Sequence, residues 1–227
     1  MESPDSTPRQ HDQAAGEVRR ASARSDGGDG PAGARTLVRL QAEPPVWRLG
    51  GPVGGLRLRR YRATDHATVL DLHREGLAQV GLRPGDGVYY DHDFFRMEEI
   101  YLRNDGEFLV GESDGEIVAM GGLRRADLVP GGSSRAFGGY ALGNPALDAA
   151  EMVRLRVRPD RQRRGYGAAV VRALEERAVE LGYRLLKGDT TAYQQAALTL
   201  YRSFGWKETR REKIGGIENI YIEKRLR

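Results

Sequence analysis

The chain of 227 residues contains no cysteine. That excludes disulfides, a thiol nucleophile and a thiolate zinc site. Histidine is scarce: His11, His66, His73 and His92 are all there is. None forms a metal-ligand spacing with the others, although His66 and His73 can share a helix face, so solvated or core histidines and no metal are expected. No apolar run approaches the ~20 residues of a membrane span, and no membrane association is expected. The N-terminus is polar and of mixed charge, unlike a secretory signal, which leaves the cytoplasm as the default location. Charge of one sign is nearly absent as a feature. Lys and Arg number 36 against 32 Asp and Glu, a net +4, too mild a bias to argue for nucleic acid. The aromatic–basic interleaving of a nucleic-acid groove is missing as well.

What the chain does have is concentrated in residues 151–168, E-M-V-R-L-R-V-R-P-D-R-Q-R-R-G-Y-G-A. The stretch opens as a strand, with Glu151, Val153, Leu155 and Val157 expected on one face and Met152, Arg154, Arg156 and Arg158 on the other. Pro159-Asp160 ends it. A turn through Gln162, Arg163, Arg164, Gly165, Tyr166 and Gly167 leads into a helix over 168–181, whose Val170, Val171, Leu174, Ala178 and Leu181 share a side. The first N–H groups of a helix lack intrahelical partners and carry partial positive charge. Gly165 and Gly167 carry no Cβ to keep a ligand off the backbone. The turn is therefore suited to phosphate. It lacks the Lys-Ser/Thr of a Walker loop and the third glycine of a dinucleotide fingerprint.

Elsewhere the pattern is legible in outline. Residues 1–54 read as an extension rich in Ser, Gly, Asp and Arg, disordered to about Gly33 because it can bury little apolar area. Residues 55–227 read as one domain. A first strand is expected over 56–61, and a helix capped by Thr64 or Asp65 runs to about Val80. A second helix follows over 93–102. A hairpin turns at Asp114-Gly115. A Gly-rich connection over 124–149 leads to the central strand. After the 168–181 helix come a strand over 183–191, a helix over 194–204 and a closing hairpin around Gly215-Gly216.

The hexamer Gln162-Arg163-Arg164-Gly165-Tyr166-Gly167, between that strand and that helix, resembles motif A of the GNAT acetyltransferase superfamily. Residues 194–206, Q-Q-A-A-L-T-L-Y-R-S-F-G-W, are similar to its Asn-x-x-Ala-x-x-Leu-Tyr-x-x-x-Gly-Phe motif, with Gln194 where Asn is usual and Trp206 where Phe is usual. The element order β-α-α-β-β-β-α-β-α-β-β also matches. The resemblance implies an α/β (α+β) fold, a mixed, mostly antiparallel sheet of about seven strands with four helices.

It implies acetyl-CoA as cosubstrate, held by Gln162, Arg163, Arg164, Gly165, Tyr166, Gly167 and Ala168 at the pyrophosphate. Leu155, Arg156 and Val157 would act through backbone groups, with the Val157 N–H polarising the thioester carbonyl. Thr190 would line the pantetheine channel, and Gln194 would bond a pantetheine amide. Tyr201 would serve as acid toward the leaving thiolate, or be a core aromatic. Glu151 would serve as base, or be half of a salt bridge to a neighbouring arginine. The implied activity is N-acetyl transfer to a primary amine, on a small molecule or a peptide, by direct attack in a ternary complex. The alternative is a GNAT-fold module that binds acyl-CoA without turnover. Dimerisation stays open. Asp91, Asp93, Glu98 and Glu99 would lend the acceptor side negative charge, or form a solvated helix face.

Overall fold

A computed structural model describes residues 54–86, 91–126 and 149–227. Residues 1–53 of the expected 1–54 extension and most of the Gly-rich connection lie outside them. Seven strands form one sheet in the order β1-β2-β3-β4-β5-β7-β6. They are β1 (Arg57–Arg60), β2 (Glu107–Ser113), β3 (Glu116–Arg125), β4 (Ala149–Val157), β5 (Leu185–Thr191), β6 (Lys207–Ile214) and β7 (Ile217–Arg225). Every neighbouring pair is antiparallel except β4 and β5, which the intervening helix α2 (Tyr166–Glu180) allows to run parallel. The expected fold class and order are what the structure has.

Local chemistry accounts for the turns. Asp114 and Gly115 both take positive φ (55° and 80°), the backbone a tight hairpin needs to follow strand twist. Two apolar layers flank the sheet. On one face α2 and α3 (Gln195–Ser203) bury Val170, Leu174, Leu198 and Tyr201 against Leu123, Met152, Leu186 and Ile220. On the other, α1 (His66–Ala78) and residues 91–102 bury Val69, Leu72, Phe94 and Tyr101 against Phe108, Val110 and Met120.

Two expectations need correction. The second helix is a 3₁₀ segment, Asp91–Arg96, followed by a π turn, Glu98–Leu102. Its first acidic residues point inward: Asp93 is 3% exposed. The strict alternation expected along β4 also fails. Gly122 pairs with Val153 and Met120 with Arg156, so Arg154 and Leu155 together face Gly121 alone. This is a β-bulge, and Arg154 occupies it at φ 60°. The extra residue reverses parity. Val153 packs on the α1 face, while Leu155 and Val157 pack on the α2 face.

Candidate active site

Three elements meet where β4 ends. Pro159–Arg161 makes one 3₁₀ turn, Arg163 and Gly165 follow at φ 63° and 83°, and α2 begins at Tyr166. Gly165 is the N-cap. Its left-handed backbone is one that side chains disfavour, and a β-branched residue most of all. Arg163 and Arg164 are exposed beside it. Tyr166 contributes only its backbone here, because its ring is buried and its hydroxyl donates to the Gly54 carbonyl (2.9 Å). Behind the turn, a Cβ on Gly167 would stand 3.2 Å from Leu200 Cδ2 and 3.7 Å from Val157 Cγ2. The start of α2, the flank of α3 and the end of β4 are thus in contact.

In front of the turn the sheet opens. β4 and β5 pair only through Ala149–Leu185, Ala150–Leu186 and Glu151–Lys187. Beyond Glu151, β4 has β3 on one side and no strand on the other. Arg158 N–H donates to the Val118 carbonyl on β3 (2.8 Å). Backbone groups alternate sides along a strand, so the Val157 N–H and C=O aim at the opening. The carbonyls along this edge are answered by side chains: Gln162 Nε2 donates to Val157 O (3.0 Å) and Arg156 Nη1 to Leu155 O (2.8 Å). The edge therefore offers donors to a ligand.

Tyr201 sits on α3, 5% exposed, with its ring 5.2 Å from that of Trp206. Gln194 precedes α3. Its Oε1 accepts from Thr190 Oγ1 (2.8 Å) and Thr191 N–H (3.3 Å), tying the end of β5 to the helix start. Thr190 is buried beneath it.

The opposite face carries an ionic network. Glu151 is 1% exposed and accepts from Arg124 Nε (2.9 Å) and Nη2 (2.8 Å). Arg154 donates to Asp93 through Nε (2.9 Å) and Nη2 (2.6 Å) and to Asp91 through Nη1 (3.0 Å). Burial alone would raise the Asp93 carboxyl. The Arg154 guanidinium, together with Arg124 and the Tyr101 hydroxyl, outweighs it and holds Asp93 below the ordinary carboxylate range. Tyr101 donates to Asp93 as well, and His73 Nε2 lies 3.1 Å from Asp91. Burial pushes His73 down, which favours the neutral ring. The acids expected either to attract a cation or to be solvated thus divide: Asp91 and Asp93 bind Arg154, while exposed Glu98 and Glu99 pair with Arg103 and Arg96.

Three residues of this face were not singled out from sequence: Arg124, Arg154 and Asp189. A signal for the last was present. Lys187 and Asp189 put two charges at i, i+2 in a strand otherwise of Leu, Gly and Thr, which solvent alone does not explain in an interior strand. Among the described residues no group of three His, Asp or Glu could hold a metal, and no helix is long and apolar enough to cross a membrane.

A model of the acetyltransferase (GNAT) family matches residues 68–206, more than half of the chain. No curated protein matches by sequence. Solved structures do. A GNAT-family acetyltransferase from Staphylococcus aureus Mu50 is 14% identical, with a TM-score of 0.59 over 76% of this chain and 99% of its own. The yncA protein of Salmonella typhimurium, solved with its cofactor acetyl-CoA, is 15% identical, with a TM-score of 0.58 over 76% and 95%. A ribosomal-protein-alanine N-acetyltransferase from Brucella melitensis is 18% identical, with a TM-score of 0.56 over 74% and 99%.

Proposed function

Since this chain belongs to the GNAT acetyltransferase family, we propose that it moves an acetyl group from acetyl-CoA to a primary amine by direct attack in a ternary complex. The observation that carries the proposal is the parting of β4 from β5 after Glu151–Lys187, directly in front of the Gly165 turn. A strand edge with outward donors and a helix N-terminus with unpaired N–H groups then serve two parts of one ligand. The residues present fit acetyl-CoA: the left-handed Gly165 and the exposed flank of Arg163 and Arg164 suit its phosphates, and the Val157 N–H suits its carbonyl oxygen. Bound there, acetyl-CoA would supply the activated acetyl group. Tyr201 would hydrogen-bond the departing sulfur, and Thr190 and Gln194 would border the path between. With no cysteine in the chain, an acyl-cysteine route has no nucleophile.

The test is thiol release from acetyl-CoA with a panel of primary amines. A peptide beginning with alanine belongs in it, because one structural relative is an alanine N-acetyltransferase. Tight CoA binding without thiol release for any amine would leave a binding module in place of an enzyme.

Gly165→Val tests the turn separately. Valine at φ 83° is strained, which would shift the backbone of the turn. CoA affinity is expected to fall at least about tenfold, or ~1.4 kcal/mol. Unchanged affinity by calorimetry would remove the phosphate assignment.

A further inference from the structure

β5 lies inside the sheet, between β4 and β7, and six of its seven residues are buried. Asp189 is the exception. It lies two residues past Lys187, the last β5 residue paired to β4, and so stands where the two strands have parted. Strand alternation sets it on the face of Lys187 and Thr191, opposite to Leu186, which packs in the α2-side core. That is the face on which Glu151 and the Arg154 network lie.

Its surroundings differ from those of the other acids there. Among the described residues Asp189 joins no ion pair. Its hydrogen-bond partner is Asn219 on β7. With the amide turned so that its nitrogen meets acceptors, Asn219 donates to Asp189 Oδ2 (3.3 Å) and the Thr190 carbonyl (3.0 Å), and accepts from the Tyr221 hydroxyl (3.3 Å). Asp91, Asp93 and Glu151 each answer an arginine. Asp189 alone combines a carboxylate, a half-buried place beside the opening and no ion pair among the described residues.

We propose that Asp189 is the general base of the transfer, taking the proton of the acceptor nitrogen at the mouth of the β4–β5 opening. The proposal rests on reading the chain as an amine acetyltransferase. As the nitrogen forms its bond to the acetyl carbon and the carbon–sulfur bond breaks, Asp189 accepts one proton from nitrogen. The departing thiolate accepts a hydrogen bond from Tyr201 and takes its proton from water. Asp189 returns its proton to water, leaving an amide and a free thiol.

The electrostatics suit the role. Burial pushes the Asp189 carboxyl up, and the negative charge of Glu151 pushes it further. Arg124, Arg154 and the Asn219 amide pull the other way without cancelling the rise. Lys187 on the same strand faces Glu223 and Glu151, and Arg210 of β6 lies over the Tyr221 ring at 4.1 Å. A base with a pKa nearer the working pH is the more effective one. The acid limb of kcat is therefore expected above the ~3.9 of an ordinary aspartate.

The test uses Asp189→Asn and Asp189→Glu in the full chain, with acetyl-CoA and the most active amine of the panel. Asp189→Asn is expected to lose about 10²–10⁴-fold in kcat and to lose the acid limb, while CoA affinity and Tm stay near wild type. Asp189→Glu, which restores a carboxylate, is expected to recover part of the rate and a limb. Turnover of Asp189→Asn within a fewfold of wild type, limb retained, overturns the base and leaves the acetyltransferase reading intact. Loss of rate together with Tm and CoA affinity, unrescued by Asp189→Glu, makes Asp189 structural and overturns it too. A wild type that binds CoA and releases no thiol with any amine overturns the acetyltransferase reading, and the base with it.

Discussion

Tyr201→Phe is expected to lower kcat by about 10²–10⁴-fold, ~3–5 kcal/mol of barrier, with CoA affinity and Tm close to wild type. The substitution deletes one oxygen. The ring keeps its place in the core and against Trp206. A phenol with a pKa of ~10 gives its proton to a thiolate whose parent thiol is near ~8.5 only uphill. The hydrogen bond is therefore strongest when the carbon–sulfur bond is breaking, and contributes to the transition state more than to ground-state binding. A Tyr201 that serves packing alone gives kcat within a fewfold of wild type. Measuring kcat in a regime where chemistry limits the rate separates the two. Glu151→Gln in the same assay asks whether the Arg124-bound carboxylate takes part in proton transfer: a large fall in kcat at unchanged Tm would make Glu151 the base.

Arg154→Met is expected to destabilise the domain by about 3–5 kcal/mol. The substitution strands Asp93, whose carboxylate lies 3% exposed and receives two of the Arg154 hydrogen bonds. Arg124 Nη1, 3.6 Å away, compensates only in part. Methionine also inherits φ 60° without the ion pairs that offset its strain. The pH dependence gives a second signature. In the wild type Asp93 is held below its ordinary range. Its pairing thus adds stability that is complete above the unfolded pKa and is lost as pH falls through the folded one. Without Arg154, burial raises Asp93, and the carboxyl is costly when charged. The destabilisation is therefore largest near neutral pH and shrinks as acid protonates Asp93. Denaturant midpoints at neutral and acid pH test this. A loss below about 1 kcal/mol at neutral pH would mean the pair behaves as a surface salt bridge.

The features legible in the sequence were those made within a few consecutive residues. The turn at Gly165 follows from glycine's tolerance of positive φ and from the unpaired groups at a helix start. The Asp114-Gly115 hairpin follows from the same backbone chemistry, and α3 from the spacing of Ala197, Leu200, Tyr201 and Phe204. Even the element order needed no distant partner. The bulge at Arg154 was not legible, because two residues on β4 face one on β3 only once the strands have chosen a register. That register reversed the faces of Leu155 and Val157. It also aimed Arg154 at Asp91 and Asp93, about sixty residues earlier in the chain. Composition marked those acids as exposed charge, and tertiary pairing turned them into buried structure. Asp189 shows the same division. Its place in a strand is local, but its access depends on where the β4–β5 ladder stops. Short-range backbone preferences are written residue by residue, while the burial and partners of a charge depend on what a distant segment brings beside it.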